Sequence, residues 1–433
     1  MEPLSIGLIG LLAMFLLIVL HVPIGIAMAL CGVAGVAVLV GWQPAMALFS
    51  IEAASSMGNE SLAVVAIFLV MGSFANMAGL SRDLYQLAYA LIGHRRGGLC
   101  TATIFGCAGF GAVCGSSVAT TATMARMALP EMRKRGYSLS LASGSIASGG
   151  TLGILIPPSV IMVLYGVLTE QFIIALFTAA ILPGLLAVLF YVIAVEAKVA
   201  LDPESAPPGP RLTGSERWQA LRSAWRVLLV AAVVSGGIYT GIFTVTEAAS
   251  VGAALCLFMA FGRMTVTEFV NGLLEAASST CMIFVIIIGA SIFSYFVSLS
   301  GAPDALVTGI RDLSLHPLMV IALLVVMYLV LGSIFDTVAA MVITLPFVLP
   351  LVTGLGYSPI WWGVVMVMAM EIGMITPPIG INVFVLKNAA QDLTLNQIYR
   401  GVTPFLIADV ARLAILALVP GLALWLPGQL GWL

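Results

Sequence analysis

Two apolar stretches of the chain are each interrupted by paired prolines, "GILIPPS" at residues 153–159 and "GMITPPIG" at residues 373–380. Proline removes a backbone donor and its ring clashes with the preceding turn, so each stretch must divide into two half-helices. In hydrocarbon, freed backbone groups are tolerated only when buried in protein or facing a cavity or an ion. A chain with two such breaks has to fold around them.

The surroundings are hydrocarbon-like: 61% of the 433 residues are hydrophobic and 8% are charged, against roughly 25% charged in soluble domains. This is the composition of a polytopic membrane protein with an all-α fold. Helix-forming stretches cover residues 4–20, 24–41, 61–80, 99–130, 137–168, 172–195, 227–243, 246–262, 278–299, 317–350, 359–386 and 401–426. Three of these, 99–130, 137–168 and 317–350, run to 32–34 residues and are too long for one simple span. The leading "MEP" lacks a basic n-region, so the first stretch reads as a retained helix. A net charge of −2 without a long basic run excludes nucleic acid as a partner. The six cysteines lie in apolar stretches without CxxC spacing or a histidine partner and read as small core residues.

Basic residues fix orientation, because cytoplasmic loops hold the excess of Lys and Arg. His94 to Arg96 and Arg133 to Arg135 therefore share the cytoplasmic face. The stretch between them, about 99–130, enters and returns to the same side, and its centre "CGSSVATTAT" is polar and small. A re-entrant hairpin fits; two full spans joined by a short outer loop are the competing arrangement. Residues 197–226, Pro-rich and polar with Lys198, Arg211, Arg217, Arg222 and Arg226, read as a cytoplasmic linker between residues 1–196 and 227–433.

The halves are related. A constant shift of 220 residues aligns Pro130 with Pro350, Gly136–Tyr137–Ser138 with Gly356–Tyr357–Ser358, Gly153 with Gly373, and the two Pro-Pro pairs. Twelve of the 49 positions from 115 to 163 are identical at this shift. "EAASS" at residues 52–56 recurs at 275–279, and Pro183 aligns with Pro404 at a shift of 221. The chain reads as an internal duplication. With the first hairpin non-crossing, half one crosses five times, so the second half is inverted and both termini lie outside the cytoplasm. The loops flanking the second hairpin, about 317–350, carry only Arg311, Asp312 and His316 before it and no basic residue after it, as an outward position requires.

Paired broken helices in inverted halves point to a transport site, where unwound carbonyls hold cations and half-helix N-termini attract anions. The first hairpin tip offers Gly115, Ser116, Ser117, Thr120 and Thr121; the second offers Gly332, Ser333, Asp336 and Thr337. These oxygens suit hard cations such as sodium. Asp336 stands out, since a central carboxylate costs roughly +2.5 to +3.5 kcal/mol on insertion scales and a bound cation or proton would offset that. Glu371, Glu247, Glu52 and Glu275 read as capping or interfacial residues. Asn382 is placed to reach a substrate, Lys387 to snorkel to the cytoplasmic surface, and "SGSIASGG" (Ser143 to Gly150) to serve close helix packing.

These paired features, "GSSVATTAT" with "GILIPPS" and "GSIFDT" with "GMITPPIGINVF", resemble the large membrane subunit of tripartite ATP-independent periplasmic (TRAP) transporters over essentially the whole chain. The resemblance implies an elevator transporter of the ion transporter superfamily: a scaffold holds a mobile domain of two hairpins and two broken helices (about 137–168 and 359–386). It implies an inner-membrane protein of a bacterium or archaeon, a separate small four-helix membrane subunit, and a soluble periplasmic binding protein. Carried onto this sequence, it makes Ser116, Ser117, Gly153 and Pro157 candidates for one sodium site. Gly332, Asp336, Thr337, Gly373, Thr376 and Pro377 are candidates for its symmetry mate, and Ser116, Ser117, Thr120 and Asn382 for substrate contact.

The expected function is sodium-coupled import of an organic acid anion, with sodium preparing a carboxylate site where arginines are absent. No cofactor or other metal is expected. Proton coupling through Asp336 or Glu371, or transport without a binding protein, is the alternative on the same fold. An intramembrane serine enzyme lacks a base, because His21, His94 and His316 lie at segment ends.

Overall fold

Long apolar segments satisfy their backbone groups internally by coiling, and regular structure in residues 2–433, which the computed structural model describes, is helical throughout. The chain begins with α1 (Pro3–Val19), α2 (Ile24–Val40), α3 (Trp42–Gly58), α4 (Glu60–Met77) and α5 (Leu80–Ile92). A first hairpin, α6 (Gly98–Cys114) and α7 (Ser117–Lys134), leads to a broken pair, α8 (Leu139–Leu155) and α9 (Val160–Leu168), and then to α10 (Ile173–Leu201). After α11 (Gly214–Tyr239), α12 (Val245–Ala260), α13 (Val266–Leu299) and α14 (Ala302–Asp312), the order recurs. A second hairpin, α15 (Pro317–Ile334) and α16 (Thr337–Gly354), precedes the broken pair α17 (Pro359–Gly373) and α18 (Ile381–Ala389), then α19 (Leu395–Leu418) and α20 (Gly421–Gln429).

Seven helices are long and apolar enough to cross a membrane, or eight counting the α8–α9 pair, which bends by 41° at its break. Large apolar side chains such as Leu8, Leu12, Leu16, Val38, Leu185 and Leu189 stand exposed on the outside, while Ser, Thr, Asp and Arg side chains are buried within. That distribution belongs to a multi-pass membrane protein.

The helices form two groups. In one, α13 lies along α2 so closely that a Cβ on Gly25 would stand 2.5 Å from the Val285 carbonyl oxygen, and one on Gly289 2.0 Å from that of Gly25. α1, α3, α4, α11 and α12 complete this group. In the other, the halves interlock: α8 packs against α19, and α17 against α10. A Cβ on Gly144 would lie 2.0 Å from the Gly401 carbonyl oxygen, and one on Gly401 1.8 Å from that of Ser140. The small-residue run 143–150 thus serves close packing. Across the halves, Tyr165 also donates to the Pro359 carbonyl at 2.6 Å.

The structure departs from the sequence reading in several places. Only residues 202–213 separate α10 from α11, so most of the 197–226 stretch is helix rather than linker. Its polar residues are those of exposed helix ends, capped at Thr213 by a reciprocal bond with Glu216. α3, α5 and α14 lie outside the apolar stretches; α5 and α14 are short amphipathic helices, each started by a left-handed glycine, Gly79 or Gly301. α5 is held to the first group by Arg226, which pairs with Asp83, while Arg226 and Arg263 both donate to the Ala78 carbonyl at the end of α4, at 3.2 and 3.3 Å.

Gly144→Val should push α8 off α19. Overpacking costs roughly 1–3 kcal/mol or more, and here the clash is with backbone. The expected outcome is a clear fall in the thermal transition of the detergent-purified protein, whereas Gly309→Ala, at an exposed helical position with open space for the methyl, should cost nothing and can stabilise by up to about 1 kcal/mol.

Candidate functional site

The first hairpin turns where α6 ends on Gly115, whose φ of +64° spares it a Cβ, and Ser116 opens α7 by accepting from the Ala119 amide at 3.3 Å. Thr120 donates to the Ser116 carbonyl at 2.7 Å. The tip lies against the first break: a Cβ on Gly115 would meet Val160 at 3.2 Å. A Cβ on Gly153 would stand 2.9 Å from Thr120 Oγ1 and 3.1 Å from the Ser116 carbonyl oxygen. The structure therefore brings Ser116, Thr120 and Gly153 together around a space that only a glycine leaves open. Pro157 is buried, its bond to Pro158 is cis, and the nearby Ser159 hydroxyl is buried without a partner.

The second tip repeats the plan. Asp336 opens α16 and accepts from the Val338 amide at 3.0 Å, while the backbones of Gly332 and Gly373 meet, a Cβ on Gly373 falling 2.6 Å from the Gly332 carbonyl carbon. The Gly380 amide donates to the Ser333 carbonyl at 3.1 Å, and that of Asn382 to the Met374 carbonyl at 3.0 Å. Thr376 donates back to the Ile372 carbonyl at 2.5 Å. Pro377, Pro378 and Ile379 are exposed. The Tyr399 hydroxyl lies 3.2 Å from the Pro378 and 2.7 Å from the Ile379 carbonyl oxygen.

The two tips share one space. A cavity of about 580 Å³ is lined by Gly115, Ser116 and Ser117 from the first tip, Asp336 and Thr337 from the second, and Asn76, Glu275 and Ser279 from α4 and α13. Asn382 ties the halves at this level, donating to Ser117 Oγ at 2.7 Å and to the Ala147 carbonyl at 3.2 Å. Its own Oδ1 is buried without a partner. Thr120, Gly153, Pro157, Gly332, Gly373, Thr376, Pro377 and Asn382 do not themselves line the cavity.

Two expectations need correction, and one placement is added. Arg126 on α7 lines the cavity, so the site is not free of arginine; it stands three turns beyond Ser116, past the end of the polar tip sequence. Asp336 is open to the cavity, at the α16 N-terminus, where the helix dipole favours negative charge. Glu371 is fully buried and neither caps a helix nor lies at an interface. Glu247 does belong to a capping box with Thr244, and Lys387 reaches the Gln391 and Leu393 carbonyls at 2.5 and 2.6 Å. Glu52 and Glu275, related by the repeat, line crevices on α16 and α7 respectively.

The family model described as tripartite ATP-independent periplasmic transporter, DctM component, matches residues 11–422. The chain is 36% identical over 378 residues to the C4-dicarboxylate TRAP transporter large permease protein DctM of Pseudomonas aeruginosa, covering 86% of this chain and 87% of that one. It is 32% identical over 433 residues to the isethionate TRAP transporter permease protein DctMQ of Oleidesulfovibrio alaskensis, covering 99% of this chain but 67% of that longer one. In fold it is similar to the crystal structure of the YdaH transporter of Alcanivorax borkumensis, with a TM-score of 0.57, 14% identity, and coverage of 88% and 90%.

Removing the Asn382 side chain leaves Ser117 Oγ and the Ala147 carbonyl without their donor, at roughly 1–3 kcal/mol for buried groups so exposed. Asn382→Ala should therefore lower the thermal transition more than Ser117→Ala, which deprives Asn382 of only one acceptor. Equal shifts would show that the bond to the Ala147 carbonyl adds nothing to the tie.

Proposed function

The chain belongs to the DctM component family of tripartite ATP-independent periplasmic transporters, and from that premise we propose that it imports an organic acid anion in symport with sodium. The observation carrying this reading is the single cavity into which both hairpin tips turn, with serine and threonine oxygens from one half and a carboxylate from the other. Its relatives are transporter permeases, not enzymes, and several are named for anions: C4-dicarboxylate, sialic acid and 2,3-diketo-L-gulonate. We take the cargo to be a carboxylate-bearing solute of this kind.

In this mechanism sodium enters first, one ion beside Gly153 with the Ser116 carbonyl and Thr120 Oγ1, the other beside Gly373 with oxygens around Asp336, Thr337 and Thr376. With the ions in place the tips present positive charge and half-helix N-termini to the anion's carboxylate. Arg126, at the far end of the same cavity, attracts the anion along its path. Ser116 and Ser117 contact the cargo at the tip. The helices around α6–α10 and α15–α19 form the mobile body, α2, α4, α11, α12 and α13 the scaffold, and the short α5 and α14 the arms between them.

The halves have inverted topology in an inner membrane, with both termini outside. A soluble binding protein delivers the anion from the periplasm. The longer DctMQ relative leaves room for a small subunit fused to the permease; for this chain a separate four-helix subunit supplies that role.

Purified complex in proteoliposomes, with binding protein outside and C4-dicarboxylates, sialic acid and sugar acids as trial cargo, tests this. Replacing sodium by potassium at fixed pH should abolish uptake; unchanged uptake would sink sodium coupling and favour a proton-driven cycle through Asp336. Asp336→Asn should raise the sodium concentration for half-maximal uptake by roughly ten- to a hundredfold, the size of one hydrogen bond or contact to a charged group.

A further inference from the structure

A second polar cluster lies outside the cavity, where the four interlocked helices meet. Thr151 on α8, Tyr191 on α10, Glu371 on α17, and Asp409 and Arg412 on α19 are all fully buried. Thr151 Oγ1 lies 3.1 Å from the Tyr191 hydroxyl, which donates to Asp409 Oδ2 at 2.9 Å. Arg412 Nε donates to Asp409 Oδ1 at 2.7 Å, and the guanidinium carbon sits 5.6 Å from the centre of the Tyr191 ring. Beyond it, Arg412 Nη2 is 4.0 Å from Glu371 Oε2.

The repeat gives this chain of contacts its meaning. At a shift of 220, Thr151 is the mate of Glu371; at 221, Tyr191 is the mate of Arg412. The same pair of positions has thus become hydroxyl against hydroxyl in one half and carboxylate against guanidinium in the other. Asp409, whose mate is the apolar Val188, joins the two pairs across the halves. Thr151 stands two residues before Gly153 and Glu371 two before Gly373, so the cluster ends on the last turns of both half-helices that run into the breaks.

It is also incompletely closed. Both Glu371 oxygens and both terminal nitrogens of Arg412 are buried without a hydrogen bond, and the cluster holds two carboxylates against one guanidinium. A small rotation of Glu371 or Arg412 would turn the 4.0 Å approach into a two-point pair, the stronger arrangement. Closing that gap would move the end of α17 immediately before its break.

We infer that Thr151, Tyr191, Asp409, Arg412 and Glu371 form a positioning network that couples the two proline breaks, so that sodium at one break raises the affinity for sodium at the other. The inference rests on the sodium reading above. A cation at Gly373 draws the end of α17 and shifts Glu371 against Arg412. Arg412 is fixed to Asp409, and Asp409 to Tyr191, so the displacement reaches Thr151 and the carbonyls beside Gly153, because buried polar groups resist losing partners. None of the five residues touches an ion or the cargo.

The test is the sodium dependence of uptake by the full complex in proteoliposomes, for the wild type, Tyr191→Phe and Glu371→Gln. The wild type should show a Hill coefficient near two for two coupled sites. Tyr191→Phe removes only a hydroxyl; its coefficient should fall toward one and half-maximal sodium should rise several-fold, with the rate at saturating sodium retained. Combining it with Glu371→Gln should add no further loss, since both cut one path. If Tyr191→Phe fails to accumulate, Thr151→Val breaks the same contact from the other side. A lower protein yield or thermal transition with the wild-type Hill coefficient would reduce the network to a structural role and overturn the inference. A wild type that is sodium-dependent with a coefficient near one also overturns it and leaves the sodium reading standing, whereas sodium-independent uptake removes both.

Discussion

The joining of each hairpin to its broken helix follows from the need to satisfy backbone groups released at two interrupted helices in a medium that offers none in exchange. A carbonyl or amide abandoned in hydrocarbon costs several kcal/mol, so neighbouring elements must come to it. At the second break the Ser333 carbonyl takes the Gly380 amide, the Met374 carbonyl takes that of Asn382, and Tyr399 from α19 covers the Pro378 and Ile379 carbonyls. Each partner belongs to a different element or turn. Hairpin tip, broken helix and the helix after it are consequently one structural unit.

That requirement explains the glycines at the contacts. Gly332 meets Gly373, and Gly111 meets Gly153, backbone against backbone, because a hairpin can reach a break only where neither side has a Cβ. The same closeness creates the space beside Gly153 that two oxygens border. Packing and the proposed ion sites thus draw on one set of positions, and the candidate residues cannot be separated into those that hold the fold and those proposed to hold a ligand.

Much of this was legible in the sequence, because the signals were backbone-level. Proline pairs mark a break whatever surrounds them, glycine and serine mark a tip, and a 220-residue shift of identical residues relates the halves. The membrane class followed from apolar runs. What escaped depends on side-chain direction. Glu371 sits in the middle of an apolar helix, and nothing in its local sequence says that Arg412, 41 residues on, comes to within 4.0 Å of it. Arg126 lies past the end of the polar tip sequence, and Pro377 turns out exposed while Pro157 is buried, although the two align. α5 and α14 escaped for another reason: amphipathic helices of 13 and 11 residues produce no long apolar run. The linker was overextended because helix ends that leave the membrane have the same polar composition as a loop.

The crossing of α8 over α19 and of α17 over α10 bears on how such a chain can be made and inherited. Each broken helix rests on its own hairpin and also on a helix of the other half. The amino-terminal half must leave the ribosome and wait in the bilayer, its Gly144 ridge uncovered, until more than 200 further residues bring Gly401 to it. Because both halves belong to one chain the encounter is intramolecular, and positions aligned by the 220-residue shift are free to differ, as Thr151 and Glu371 do.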